Sequence, residues 1–209
     1  MRKGEKIMSI GLSVAGLPPL VMRANPALRQ MSDQEFFEFC QLNPDWRIEQ
    51  TSEGDLIIMP PTGGETGRRN FNLNVLFGIW VEKDGTGIGF DSSTAFILPN
   101  GAKRAPDLAW VKRERWEALA AAEREVFPPL CPDFVVELRS RSDSLAMLQA
   151  KMEEYLANGA LLGWLIDPLE NKVYVYRPQT EAHCLNNPTT ISGEPVLPGF
   201  VLDLKRLWD

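Results

Sequence analysis

Two hydrophobic periods run along the chain, and the places where one gives way to the other divide it into elements. Leu73, Leu76, Phe77, Trp80 and Val81 recur at the i, i+3, i+4, i+7, i+8 spacing that gathers side chains on one helical face. Leu145, Leu148, Met152, Tyr155 and Leu156 form a second such stripe, which Asn158-Gly159 ends. A shorter helix is predicted over Asp33 to Leu42. There Ser32 stands three residues before Glu35, the capping-box spacing that satisfies two free amides, and Phe36, Phe37 and Cys40 continue the apolar face. Glu114 to Glu125, charged and alanine-rich, predicts a further helix.

Between these helices the pattern is that of strands. Trp46 to Thr51 and Asp55 to Met59, separated by Ser52, Glu53 and Gly54, predict a hairpin that Pro60, Pro61, Gly63 and Gly64 end. Gly85 to Asp91 and Thr94 to Leu98 predict short strands, and a basic turn from Pro99 to Arg104 leads into Pro106 to Val111, which reads as a buried strand. A proline-punctuated loop, Phe127 to Pro132, precedes a second buried strand, Phe134 to Leu138. Ser140, Ser142 and Asp143 are expected to cap the next helix. Leu162 to Ile166 and Val173 to Tyr176 read as another hairpin, and the tail from Ile191 as an extended strand and a final turn burying Trp208. Strands and helices interleave, so the fold class is α/β: a central mixed sheet flanked by helices, with extra N- and C-terminal strands. The expected organisation is one domain over residues 32–209 behind a loose arm, residues 1–31.

Composition narrows the function classes. With 44% hydrophobic and 24% charged residues the chain is ordinary globular protein, neither disordered nor collagenous. Apolar runs such as Leu161 to Ile166 fall far short of the ~18 residues of a membrane span. Arg2, Lys3 and Lys6 before Ile7 to Val21 faintly imitate a secretory signal, but no small-residue cleavage site follows. Cys40, Cys131 and Cys184 are odd in number and lack Cys-x-x-Cys spacing, which disfavours zinc or paired disulfides and predicts a reducing cytoplasm. A net charge of −6 means that any contact with phosphate is local. The local basic groups are Arg68-Arg69, Lys103-Arg104, Lys112-Arg113 with Arg115, and Arg139 with Arg141, most of them expected as solvated surface.

The chemically informative positions are acids inside apolar strands, because a buried carboxylate loses hydration and persists only with a metal, a cation or hydrogen bonds. Asp107 opens one such strand, and Glu137 sits between Val136 and Leu138 where alternation calls for a hydrophobe. On neighbouring strands the two would meet, and paired carboxylates suit Mg²⁺ or Mn²⁺. Lys151 lies roughly 90° from the centre of its helix's apolar stripe, by the ~100° step of an α-helix, where it can reach sideways to a sheet edge. Glu65, at the start of the best helix, is a candidate third carboxylate. Each has a structural alternative: Asp107 binding nearby amides, Glu137 paired with Arg139 or Lys151, Lys151 snorkelling or paired with Glu154, and Glu65 serving the helix dipole. His183, in a polar segment, supports no Ser-His-Asp triad, and Trp110, Trp164 and Trp208 read as core.

Pro106-Asp107, Val136-Glu137-Leu138-Arg139-Ser140, Lys151-Met152-Glu153-Glu154-Tyr155 and Gly163-Trp164-Leu165-Ile166-Asp167-Pro168 follow one another in an order that carries a resemblance. Over roughly Ser32 to Asp209, including Leu197-Pro198-Gly199-Phe200, the chain resembles the putative restriction endonuclease family of the PD-(D/E)XK nuclease superfamily. The resemblance implies a restriction-endonuclease-like core, Mg²⁺-dependent hydrolysis of DNA phosphodiester bonds, and Asp107 and Glu137 as metal ligands. Arg139 departs from the superfamily pattern: it occupies the usual lysine position two residues after the glutamate, and a guanidinium stays protonated. Lys151 is then the residue expected to fill the vacant role. The alternatives are a catalytically inactive nuclease fold that binds nucleic acid or a protein partner, and an oligomeric scaffold. The scaffold reading gains from the two aromatic hairpins near the C-terminus, whose exposed edges could pair across a dimer, and a homodimer would also suit a two-strand cut.

Overall fold

The computed structural model describes residues 19–23 and 31–208. The signal-like start and most of the expected arm lie outside the described residues. Part of that arm is ordered as strand β1 (Leu20–Met22), with Val21 opposite Ile57, rather than loose. Ser32 then caps helix α1 (Asp33–Leu42): its hydroxyl accepts the Glu35 amide at 3.3 Å, and the Glu35 carboxylate accepts the Ser32 amide at 2.7 Å. Phe36 on this helix packs with Ile48 and Leu56, the inward residues of β2 (Arg47–Gln50) and β3 (Leu56–Met59), which form the expected hairpin.

Helix α2 (Gly64–Asp84) follows and stops at Gly85, whose φ of 66° is the left-handed conformation favoured at a helix end. After β4 (Gly87–Asp91) the structure departs from the sequence reading. Only Phe96–Ile97 of the expected Thr94 to Leu98 strand is extended (β5), and the basic turn ends in a short strand of its own, β6 (Lys103–Arg104). Lys103 and Arg104 are buried rather than solvated, because each has a carboxylate to meet. Lys103 pairs with Asp33 at 3.0 Å, and Arg104 with Glu49 at 3.3 Å and Glu154 at 2.5 Å. These strands form a sheet in the order β1-β3-β2-β6-β5.

The larger sheet is built from β7 (Leu108–Lys112), β8 (Phe134–Leu138), β9 (Leu162–Asp167), β10 (Lys172–Tyr176) and β11 (His183–Asn186), with β4 on one edge, in the order β11-β10-β9-β8-β7-β4. The β8–β9 pair alone is parallel, and helix α5 (Leu145–Ala157) makes the crossover between them. Between β7 and β8 the single expected helix is two, α3 (Arg113–Glu117) and α4 (Ala121–Arg124). Ala120 is extended at φ −62°, ψ 152°, with its amide held by the Glu123 carboxylate at 2.8 Å, so the chain turns and restarts there. A two-stranded ribbon, β12 (Thr190–Ser192) with β13 (Val201–Asp203), and helix α6 (Lys205–Trp208) close the fold. Trp208 is half-buried rather than buried, its indole N–H donating to the Pro188 carbonyl at 2.8 Å.

Strand alternation sorts the core into two layers. Leu108, Trp110, Phe134, Val136, Leu138 and Trp164 face α2 and the C-terminal tail, while Ala109, Val111, Val135 and Leu165 face Met152 and Tyr155 of α5. Both Trp110 and Trp164 are core, as their context predicts. The parity of Asp107 and Glu137 assigns both to the α5 side, and α2 covers the other face.

Candidate active site

The cross-strand register builds the site. Leu108 is opposite Val136 in the antiparallel β7–β8 pair, and one step further along that register sets Asp107 against Glu137. Asp107 Oδ2 accepts the Leu138 amide at 2.8 Å and Oδ1 accepts from the Arg47 guanidinium at 3.1 Å. Arg47 also donates to the Ala105 carbonyl, which pins the residue between them. Glu137, 3% exposed, turns Oε1 towards α5, where the Lys151 ammonium lies at 2.8 Å and the Tyr155 hydroxyl donates at 3.2 Å. Lys151 and Tyr155 share a helix face because they are one turn apart, the distance at which two side chains reach the same strand residue.

Lys151 has a second acid. Its Nζ lies 2.8 Å from Oε1 of Glu49, a residue of β2 that is 2% exposed and that the sequence reading did not single out. Glu49 also accepts the Ala105 amide at 3.0 Å and Arg104 at 3.3 Å. Burial alone would raise its pKa, but Lys151, Arg104 and Arg47 outweigh that and hold its carboxyl at about 2. Glu137 moves the opposite way. Burial pushes it up to about 7, helped by repulsion from Asp107 and Glu49 and opposed by Lys151 and Arg47. Burial would lower the Lys151 pKa, yet Glu137 and Glu49 together raise it, so this lysine is a fixed cation.

The structure therefore brings Asp107, Glu137 and Lys151 together and adds Glu49, Arg47, Arg104 and Tyr155. It leaves Glu65 apart. Helix α2 packs on the opposite sheet face, and the exposed Glu65 carboxylate pairs with Arg68 at 3.1 Å and Arg69 at 3.8 Å on its own helix. Arg139 points elsewhere too: its guanidinium meets the fully buried Asp167 at 2.7 Å. Arg141 is exposed, and His183 is exposed on the edge strand β11. Ser140 and Ser142 bond each other, and the Asp143 carboxylate accepts the Ser140 amide at 2.7 Å. These residues lock the turn, and the helix cap is Ser144, which makes no side-chain cap bond.

The donor set fits a divalent cation as a two-carboxylate site. An ionised carboxylate offers about four acceptor directions, and the contacts above take two on Asp107 and two on Glu137. The Glu137 carboxyl is raised first by burial and then by repulsion from Asp107 and Glu49. Among the described residues no group of three acidic, histidine or cysteine side chains converges as a metal cluster, so Glu65 supplies no third ligand in this arrangement.

The sequence profile of a family described as putative restriction endonuclease, Uma2, matches residues 33–205. The chain belongs to the Uma2 family. That match takes in every residue of the site, from Arg47 and Glu49 on β2 to Tyr155 on α5. A solved structure with the same fold is described as a putative nuclease belonging to DUF820 from Anabaena variabilis. It is 22% identical, with a TM-score of 0.71 over 85% of this chain and 97% of that one. No curated protein matches the chain. Family and fold thus support the nuclease class expected from the ordered motifs, and no helix among the described residues is long and apolar enough to cross a membrane.

Proposed function

We propose that this Uma2 protein is a metal-dependent endonuclease that hydrolyses DNA phosphodiester bonds. The observation that carries the reading is the cross-strand pairing of Asp107 with Glu137 on the sheet face where Lys151 reaches both Glu137 and Glu49. Asp107 and Glu137 would hold Mg²⁺ or Mn²⁺, which supplies Lewis acidity to the phosphate and lowers the pKa of a bound water. The Leu138 amide and Arg47 fix Asp107 in its rotamer, and Tyr155 fixes Glu137. Lys151 stays protonated, so its part is to attract the phosphate and stabilise the charge that gathers on it rather than to accept a proton. Glu49 holds that ammonium in place. Arg139, engaged by Asp167, takes no part in the chemistry.

One observation favours a second reading, a nuclease fold that binds without cutting: Arg47 and Lys151 already sit on the two carboxylates. A nicking assay on supercoiled plasmid, with Mg²⁺, Mn²⁺ or chelator, separates the two. Cleavage should require the metal and fall by roughly 10²-fold or more in both Asp107→Asn and Glu137→Gln. Equal cleavage by parent and variants discards the assignment. Metal binding by calorimetry with no cleavage would favour the second reading.

A further inference from the structure

The inner face of α2 is spent on the core through Leu73 and Phe77, yet its outer face is apolar as well. Phe71, Val75 and Ile79 stand 69%, 39% and 51% exposed, four residues apart along one line of the helix. Scattered exposed hydrophobes need no explanation, but a straight seam of them on a long helix is the pattern of a surface that meets another helix. Exposed Arg68, which Glu65 one turn before it also meets at 3.1 Å, and Glu82 bracket the seam.

The order of these residues is symmetric about Val75. Phe71 lies four positions before it and Ile79 four after, while Arg68 lies seven before and Glu82 seven after. An antiparallel helix pair related by a two-fold axis through Val75 would put Phe71 of one copy against Ile79 of the other and Arg68 against Glu82, each contact made twice. Such reciprocity is the signature of an isologous contact, in which residue i meets j and j meets i. The Arg68 to Glu82 stretch is ~21 Å long at ~1.5 Å per residue, so all five positions fit one straight crossing at ~8–10 Å between axes. Gly78 flanks the seam with no atom within 4 Å of where a Cβ would stand, which leaves room for a neighbour. A groove of about 490 Å³ between α2 and β4, lined by Phe77, Gly78, Val81 and Glu82, borders the seam on one side. An acid at one end and a base at the other, equidistant from the centre, suit a second copy of the chain. A lipid surface would call for a basic face.

We propose that the outer face of α2 is the interface through which two copies of this protein associate, antiparallel and centred on Val75. This interface differs from the hairpin edge at β11, and it stands whether or not the protein cuts DNA. Light scattering on the full chain at tens of micromolar should give twice the 23.5 kDa mass of the chain, and Val75→Asp should give the monomer with an unchanged circular dichroism spectrum. Arg68→Glu and Glu82→Arg should each weaken association at least tenfold, and the two together should restore it, because the swap preserves the cross-pair. Val75→Cys should cross-link to itself on mild oxidation. Phe71→Cys should do so only when mixed with Ile79→Cys. A monomeric parent, a dimer indifferent to Val75→Asp, or a charge swap that fails to rescue would overturn the proposal.

Discussion

Replacing Glu49 by Gln removes one negative charge from the densest part of the buried network without changing its shape. The side chain is 2% exposed and its carboxyl is held at about 2 against an ordinary 4.5. At ~1.4 kcal/mol per pH unit that gap is about 3 kcal/mol, and a site this enclosed gives solvent little part in screening it. The variant also turns an amide N–H₂ towards Arg104 or Lys151, so the figure is close to the ~3–5 kcal/mol expected when a buried ion pair loses one member. For an acid with a depressed folded pKa the stabilisation is complete above the unfolded value and is lost as pH falls through the folded one. The difference between parent and Glu49→Gln should therefore be about 3 kcal/mol at pH 7, shrink to roughly half near pH 3.5, and vanish below about pH 2. Denaturant unfolding followed by tryptophan fluorescence suits this measurement, since Trp110 and Trp164 are buried. In a thermal scan the loss at neutral pH corresponds to about 10 °C for a chain of this size. A loss under about 1 kcal/mol at pH 7, or one that does not change with pH, would refute the claim that Glu49 is charged and held by these cations.

Three further outcomes follow from named contacts. Lys151→Met should abolish cleavage and Lys151→Arg should restore only a small part of it, because a planar guanidinium cannot sit 2.8 Å from both Glu49 and Glu137 in the same way; a plasmid assay at constant Mg²⁺ reads both. Arg139→Met should leave the fully buried Asp167 unpaired and cost about 3–5 kcal/mol in denaturant unfolding, with kcat per folded molecule unchanged. Gly87→Ala would bring a methyl to 2.2 Å from the rigid Trp110 ring and should cost about 1–3 kcal/mol, whereas Gly67→Ala on exposed α2 meets nothing and should gain ~0.5–1 kcal/mol; paired melting curves test the contrast.

How legible each part was depended on how local its cause is. The α1 cap, the α2 and α5 stripes and the buried strands β7, β8 and β9 follow from contacts within a few residues or from burial on both faces, and they lie close to where the spacing puts them. The basic turn did not, because Lys103 and Arg104 are extended and buried only by grace of Asp33, Glu49 and Glu154, which are far away in sequence. The α3–α4 break rests on a single side chain, Glu123, folding back to an amide, and a run of alanines hides it. Glu49 escaped notice for a different reason. In Arg47-Ile48-Glu49-Gln50 it occupies the polar phase of an ordinary two-faced strand, so alternation predicts a solvated acid. Only the packing of β2 and β6 against α5 shows that this phase is interior. The clue that was present is Lys151, roughly 90° from the centre of its stripe and so placed to reach sideways off the helix.

Buried acids in this fold fall into two arrangements. Asp133 is 2% exposed, yet one oxygen meets Arg115 at 3.0 Å and the other accepts the Lys112 amide at 2.9 Å. Asp167 is likewise matched by Arg139 at 2.7 Å and the Leu169 amide at 3.0 Å. Each is a single charge with a single counter-charge and a capped turn, which completes its hydrogen bonding and leaves no work for a ligand. Asp107 and Glu137 on the larger sheet and Glu49 on the smaller one instead compete for the same cations: Lys151 serves two of them, and Arg47 acts on all three. Burial, with repulsion from Asp107 and Glu49 added to it, raises the Glu137 carboxyl against the pull of Lys151 and Arg47. That crowding of acids around shared cations, absent at Asp133 and Asp167, is the feature on which the proposed metal site rests.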